Sequence, residues 1–119
     1  MGKTLLVIDD SPFVYKTVVK ALEGTEYEVV GNALNGQIGL DLYSELKPDI
    51  ITLDVTMPIM DGLETAKRLT EANPDVKIVM LSAMGDETLV NEAKAIGIKY
   101  FLMKPFKPET IIAKLNEVQ

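Results

Sequence analysis

The chain contains no cysteine, no histidine and no tryptophan among its 119 residues. Without cysteine it has no disulfide bond, no thiol nucleophile and no thiolate metal site, which fits the cytoplasmic location that we expect. Without histidine it lacks the usual general base and the usual zinc ligand. No apolar run approaches the roughly 20 residues that a membrane-spanning helix needs, and the N-terminus has no signal-peptide pattern. The sequence therefore excludes thiol and imidazole chemistry and predicts no membrane contact.

Positive charge is also scarce, since 12 lysines and arginines face 18 aspartates and glutamates, for a net charge of -6. An acidic surface argues against nucleic acid as a partner and suits a basic patch on another protein. Hydrophobic residues make up 47% of the chain, enough for a substantial core. The length predicts a single domain over residues 1–119, and we expect a monomer.

Short apolar runs alternate with amphipathic segments along the whole chain. Strands are predicted near residues 4–9, 27–33, 49–54, 76–82 and 99–104. Three of these runs are almost continuously apolar, which is typical of strands covered on both faces. Helices are predicted after Ser11, after Asn35-Gly36, after Asp61-Gly62, at Asp86 and at Pro108. Five βα units in a row predict an α/β fold, a doubly wound five-stranded parallel sheet with helices on both faces.

The second predicted helix carries apolar residues at a spacing of four. Ile38, Leu42 and Leu46 repeat at the interval that places side chains on one side of a helix. The pattern predicts that these three residues form the buried face of the helix.

Polar side chains stand at the downstream ends of four predicted strands. They are Asp9 and Asp10, then Asp54, Ser82 and Lys104. In an open parallel sheet, ligands bind outside the carboxyl ends of the strands. If the four strands are neighbours, three carboxylates, a hydroxyl and an ammonium group meet in one crevice. Such a crevice suits a divalent metal ion and a phosphoryl group.

The residue types in this crevice point to phosphoryl transfer. A carboxylate can attack phosphorus and form an aspartyl phosphate, and Asp54, the central acid, is the predicted nucleophile. Asp9, Asp10 and Asp54 supply the hard oxygen ligands that Mg²⁺ requires. Lys104 and Ser82 offer a positive charge and a hydroxyl donor to phosphoryl oxygens. Asp10 is also placed to act as a capping acid for the first helix, a role compatible with metal binding.

Several short motifs lie in order along essentially the whole chain. They are Asp9-Asp10, Asp54, the run 57–62 (Met-Pro-Ile-Met-Asp-Gly), Ser82-Ala83 and Lys104-Pro105-Phe106. On these residues the chain resembles the receiver domain of two-component response regulators, and among them the stand-alone chemotaxis regulators. The resemblance implies the flavodoxin-like strand order 2-1-3-4-5, with the site between strands 1 and 3. It also implies a cis Lys104–Pro105 peptide and the backbone carbonyl of Thr56 as a further Mg²⁺ ligand.

The same resemblance implies a conformational switch formed by Ser82 and Phe101. The aromatic switch residue of chemotaxis regulators is often tyrosine, whereas this chain has phenylalanine. Without a hydroxyl, switching depends on burial of the ring, so we expect the ring to lie partly inward before phosphorylation. The alternative is that Phe101 is a fixed, half-buried strand residue.

The resemblance implies a signalling module rather than an enzyme, one that catalyses only its own phosphorylation and dephosphorylation. A histidine kinase would donate the phosphoryl group, and output would be protein–protein contact in chemotaxis, with the flagellar motor switch or a phosphatase as partner. The sequence ends one residue after Val118, so we expect no output domain. The alternatives are a phosphorelay intermediate and a receiver taken from a larger regulator.

Two other classes of protein share parts of the pattern. A Mg²⁺-dependent phosphohydrolase of the haloacid dehalogenase kind also uses Asp, Ser or Thr, and Lys. Its second acid stands two residues after the nucleophile, where this chain has Thr56. A flavin- or nucleotide-binding module would need a glycine-rich phosphate loop after the first strand. The residues there are Asp9 to Pro12, which are acidic, so the sequence disfavours both classes.

Overall fold

The computed structural model describes residues 2–57 and 60–118, in which five strands alternate with five helices. The strands are β1 (Lys3–Ile8), β2 (Tyr27–Ala33), β3 (Ile50–Asp54), β4 (Ile78–Ser82) and β5 (Tyr100–Met103). The helices are α1 (Pro12–Ala21), α2 (Gly36–Leu46), α3 (Gly62–Ala72), α4 (Glu87–Ala95) and α5 (Pro108–Val118). All ten predicted elements are present, with strand ends shifted by at most two residues. Within the 57–62 motif, Pro58 and Ile59 lie outside the described residues.

All five strands are parallel and lie in the order β2-β1-β3-β4-β5. This confirms the doubly wound α/β fold and the strand order implied by the resemblance. The chain runs from β1 outward to β2, then returns to the other side of β1 with β3. That reversal opens a crevice at the carboxyl ends of β1 and β3, where ligands bind in open α/β sheets.

The sheet is buried on both faces because successive strand residues point to opposite sides. In β1, Leu5 and Val7 pack in a cluster with α1 and α5, whereas Leu6 and Ile8 pack in a second cluster with α3. All four of these residues are fully buried. This explains why the central strands are largely apolar without alternation, although β3 also buries Thr52 at its centre.

Short polar residues start the helices that lead away from the crevice. Ser11, Asn35 and Asp61 are the N-caps of α1, α2 and α3, and each accepts a hydrogen bond from the backbone N–H three residues later. Gly97, with φ of 103°, follows the C-cap of α4 and supplies the left-handed conformation common at helix ends. None of the helices within residues 2–57 and 60–118 is long and apolar enough to cross a membrane.

The predicted buried face of α2 is wrong. Ile38 and Leu46 are 40% and 38% exposed, and the fully buried positions of this helix are Gly36 and Gly39. A Cβ atom at Gly39 would lie 2.6 Å from Ile8 Cδ1. The helix therefore approaches β1 through Gly39 and α3 through Gly36. Leu40, Leu42 and Tyr43 pack partly against the core, whereas Ile38 and Leu46 stay exposed.

Candidate functional site

Three carboxylates meet at the carboxyl ends of β1 and β3. Asp9 directly follows β1 and Asp54 is the last residue of β3, and the pairing of Ile8 with Leu53 places their strands in register. One oxygen from each of Asp9, Asp10 and Asp54 lies within 4.8 Å of the others. Asp9 and Asp54 are 0% and 5% exposed, while Asp10 is exposed. The three acids predicted as metal ligands are therefore brought together.

Lys104 reaches the same crevice from the end of β5. Its Nζ lies 3.0 Å from Asp9 Oδ2 and 3.3 Å from Asp54 Oδ1. Its backbone N–H donates to the carbonyl of Ser82 at 2.7 Å, which continues the pairing of β4 with β5. The Lys104–Pro105 peptide is cis, as predicted. Lys104 thus lies between two of the three acids and neutralises part of their charge.

The pKa values of Asp54 and Lys104 are shifted by burial and by the neighbouring charges. Burial, followed by the charge of Asp9, raises the pKa of Asp54 to about 6, against weaker opposing effects of Lys104 and the Thr56 amide. Burial by itself would lower the pKa of Lys104, but the carboxylates of Asp9 and Asp54 outweigh it and raise that pKa. Ionisation of Asp54 in the crevice is therefore unfavourable, and a bound cation would make it more favourable.

The donor set fits Mg²⁺. Asp9 Oδ1 accepts from the backbone N–H of Ser11 at 2.9 Å, whereas its buried Oδ2 has the ion pair with Lys104 but no hydrogen bond. When ionised, three carboxylates and one ammonium group sum to a charge of -2, which a divalent cation neutralises. Carboxylate oxygens are the ligands that Mg²⁺ prefers.

Ser82 and Thr56 border the crevice from β4 and from the loop after β3. Ser82 is buried at the end of β4, and its hydroxyl forms no hydrogen bond with the residues that the structure describes. Thr56 is exposed, and its backbone N–H donates to Asp54 Oδ1 at 3.4 Å. The roles assigned to the Ser82 hydroxyl and the Thr56 carbonyl stay predictions. Ser11, rather than Asp10, makes the side-chain cap of α1.

Phe101 lies on β5 and is half-buried, which fits both a partly inward switch residue and a fixed strand residue, so its switch role stays a prediction. The ring packs against the cluster that contains Met80 and Ala93. The ammonium group of Lys94, from the last turn of α4, lies 5.7 Å from the ring centroid. This is a cation–π contact, which contributes about 0.5–1 kcal/mol at exposed sites. Sequence reasoning missed Lys94, because only the tertiary structure brings α4 and β5 together.

An apolar groove opens beside Lys104 and was also not predicted. It has a volume of about 350 Å³ and is lined by Phe13, Val14, Thr17, Ala83, Lys104, Pro105 and Phe106. The side chain of Phe13 is 75% exposed at its edge. The groove places exposed apolar surface next to the charged crevice.

Gly62 holds the loop after Asp54 in place. From the sequence, this glycine was interpreted only as part of a turn. Its backbone N–H donates to the carbonyl of Val55 at 3.0 Å. A Cβ atom at this position would collide with the carbonyl oxygen of Asp54 and would lie 2.6 Å from Val55 Cα. Backbone atoms cannot move aside as a flexible side chain can, so only glycine fits here without displacing Asp54.

We expect Gly62→Ala to lower the free energy of unfolding by about 1–3 kcal/mol, the usual cost of overpacking. Gly31→Ala is the matched control, because a Cβ there would meet only leucine side-chain tips, at 2.9 and 3.1 Å. Urea unfolding followed by circular dichroism measures both. A smaller loss for Gly62→Ala than for Gly31→Ala would contradict the account of the loop.

The fold and the crevice together define a class of small α/β signalling domains with an acidic site at the β1–β3 switch point. The response regulator receiver domain family matches residues 5–116, and the chain belongs to this family. The chemotaxis protein CheY of Thermotoga maritima is 42% identical over 118 residues, covering 99% of this chain and 98% of that protein. CheY of Listeria monocytogenes is 39% identical over 113 residues, covering 95% of each.

A solved structure gives the same result. The CheY chain in a CheX–CheY–BeF₃–Mg²⁺ complex from Borrelia burgdorferi superimposes with a TM-score of 0.90 and 29% identity, covering 98% of this chain and 88% of that one. The recognition from sequence as a receiver domain is thereby confirmed. The chain is a signalling domain that resembles CheY over nearly its whole length, and it is not a conventional enzyme.

Proposed function

We propose that the protein is a single-domain response regulator, activated when a histidine kinase transfers a phosphoryl group to Asp54. The observation that carries this proposal is the position of Asp54. It is a buried carboxylate that lies between two further acids and the ammonium group of Lys104. A receiver with these groups has the nucleophile, the cation and the oxygen ligands that phosphoryl transfer from a phosphohistidine requires.

In the proposed reaction an oxygen of Asp54 attacks the phosphorus atom of the phosphohistidine. The new P–O bond forms as the P–N bond breaks, and the imidazole nitrogen keeps the electron pair and takes up a proton. Asp54 Oδ1 already contacts Lys104 Nζ at 3.3 Å and the Thr56 amide at 3.4 Å, so Oδ2 is the proposed attacking oxygen. After the transfer, the ammonium group of Lys104 pairs with one phosphoryl oxygen, and the Ser82 hydroxyl donates a hydrogen bond to another.

Asp9, Asp10 and Asp54 are the side chains that would hold Mg²⁺, with the carbonyl of Thr56 as a further proposed ligand. When bound, the metal ion neutralises charge on the phosphoryl oxygens and so lowers the repulsion between two anions. Support comes from the match between the charge of the crevice and a divalent cation, and from the presence of Mg²⁺ with BeF₃ in the similar CheX–CheY complex.

The groove beside Lys104 supports a protein, rather than a small molecule, as the principal phosphodonor. Phe13, Pro105 and Phe106 offer apolar contacts beside Lys104, whose ammonium group lies 3.3 Å from Asp54 Oδ1. A helix docked there could present a phosphorylated histidine to Asp54, since apolar grooves are common binding sites for amphipathic helices.

Phosphotransfer from a radiolabelled histidine kinase tests the proposal. We expect the label to pass to the wild-type protein in the presence of Mg²⁺ and to remain on the kinase with Asp54→Asn or with EDTA. Asp41→Asn, at an exposed position on α2, is the matched control and should accept the label like the wild type. Labelling of Asp54→Asn at the wild-type rate would overturn the assignment.

Output in chemotaxis is the second part of the proposal. Its support is the similarity to CheY of two bacteria over 95% or more of each chain. By the same resemblance, the face made by α4, β5 and α5 would bind the partner, a flagellar motor switch protein or a CheX-type phosphatase, in the cytoplasm. Onward transfer of the label to a histidine phosphotransfer protein would instead indicate a relay.

Phe101 is the proposed link between Asp54 and that face. We expect Phe101→Ala to accept the phosphoryl group at an unchanged rate but to bind a flagellar motor switch protein more weakly, as measured by fluorescence anisotropy.

Lys94→Met keeps the aliphatic stem but removes the charge above the ring. It should shift the ring position in NMR spectra recorded with and without beryllofluoride. A ring that stays in one position in both states would refute the switch.

A further inference from the structure

One side of α2 carries a row of apolar side chains that are partly exposed, with Leu42 also packed against the core. Leu34, just before the helix, is 50% exposed, and Ile38 and Leu46 are 40% and 38% exposed. Leu42 lies between them and is half-buried. A spacing of four residues places Ile38, Leu42 and Leu46 on one side of the helix, and Leu34 precedes the N-cap. We call Leu34, Ile38, Leu42 and Leu46 the α2 patch.

The patch extends from the helix over the edge of the sheet. β2 is an edge strand, and a Cβ atom at its Gly31 would meet the side-chain tips of Leu46 and Leu42, at 2.9 and 3.8 Å. At the other end, Leu34 follows Ala33, whose carbonyl accepts the backbone N–H of Asp9 at 2.9 Å. One end of the α2 patch therefore lies over the edge strand, and the other end follows the residue that pairs with Asp9.

Negative charge borders the patch on one side. Asp41 and Glu45 are exposed and, together with Gln37, form the neighbouring row of the helix. The Gln37 side chain donates to Asp41 Oδ1 at 3.4 Å, which keeps this row together. Residues 34–46 contain no lysine or arginine. An apolar row beside an acidic row is complementary to an amphipathic helix with basic residues along one edge.

We propose that the α2 patch is a docking surface for a helix of another protein that carries lysine or arginine along one flank of its apolar face. A second copy of this chain fits less well, because it would bring the same acidic row and a further net charge of -6. The surface lies on the opposite side of β1 from the α4–β5 face, and the proposal does not rest on phosphorylation of Asp54.

Synthetic helical peptides of about 20 residues, long enough to be helical in water, provide the probe. The first has a leucine row flanked by lysines, the second replaces these lysines with glutamate, and the third scrambles the first. Binding to the full chain is measured by fluorescence anisotropy and mapped by NMR chemical shifts. We expect the lysine-flanked peptide to bind at least tenfold more tightly than the other two and to shift the signals of α2 and β2.

Variants separate docking from general charge attraction. Leu34→Ser with Ile38→Ser should weaken binding about tenfold, and these exposed positions leave the core intact. Val19→Ser on α1, a similarly exposed apolar residue, is the control and should have no effect. Asp41→Lys should reverse the preference, so that the glutamate-flanked peptide binds more tightly. Asp54→Asn should bind like the wild type, which keeps this test separate from that of the phosphorylation site.

Three results would overturn the proposal. The first is binding that survives Leu34→Ser with Ile38→Ser, or equal binding of the scrambled peptide. The second is a set of NMR shifts confined to the groove beside Lys104 or to the α4–β5 face. The third is self-association of the wild type that Ile38→Ser abolishes, because the patch would then be the contact between two copies of the chain.

Discussion

Replacement of Asp54 by asparagine should abolish phosphorylation by acetyl phosphate, whereas the wild type gains the mass of one phosphoryl group. The amide keeps the shape of the side chain but removes the negative oxygen that attacks phosphorus. Asp9 and Asp10 remain as acids in the same crevice, yet each is a proposed metal ligand and Asp9 is held by Lys104 and Ser11. The effect should therefore be all-or-none. Intact-protein mass spectrometry in millimolar Mg²⁺ measures it.

Two controls make this result specific. Asp10→Asn should slow the reaction by weakening metal binding, and high Mg²⁺ should partly restore the rate. Lys104→Met should slow it without such rescue, because Lys104 supplies a charge that the metal ion does not replace. The assignment fails if Asp54→Asn gains the same mass at the wild-type rate, or if the wild type gains more than one phosphoryl group.

Mg²⁺ should raise the melting temperature by about 10 °C when present at a hundred times its dissociation constant. A ligand that binds only the native state adds about 2.7 kcal/mol under this condition, and each kcal/mol shifts the midpoint of a domain of this size by roughly 4 °C. The cation relieves the repulsion among Asp9, Asp10 and Asp54. Differential scanning calorimetry with Na⁺ at matched ionic strength separates binding from screening. An unchanged midpoint would count against the site.

The free energy of unfolding of the metal-free protein should fall as the pH rises from 3.8 to about 6. Asp54 has a pKa of about 6 in the folded state against 3.8 ordinarily, so the folded protein holds the proton more tightly than the unfolded chain. Stability is therefore greatest below pH 3.8 as far as this group is concerned. It falls as the pH rises to about 6, by up to about 3 kcal/mol. Asp54→Asn should remove this fall, and stability that rises through the same window would contradict it.

The order of strands and helices and the meeting of three acids with Lys104 could be predicted from the sequence, because these features depend on local chemistry. Apolar runs covered on both faces, short polar caps such as Ser11 and Asn35, and acids placed after strands all leave a local mark. The positions of Asp9, Asp54 and Lys104 at the carboxyl ends of β1, β3 and β5 then followed from the parallel topology.

The buried face of α2 and the contacts of Phe101 were decided only by the tertiary structure. The periodicity of Ile38, Leu42 and Leu46 is compatible with burial, but it carries no information on how closely a helix approaches the sheet. Gly39 allows a close approach to Ile8 of β1 and Gly36 a close approach to Thr65 of α3, and with this packing Ile38 and Leu46 are exposed. Likewise, Lys94 and Phe101 meet because α4 packs beside β5. A local pattern specifies which side chains are apolar or charged, whereas the neighbours of each side chain depend on packing between elements distant in sequence.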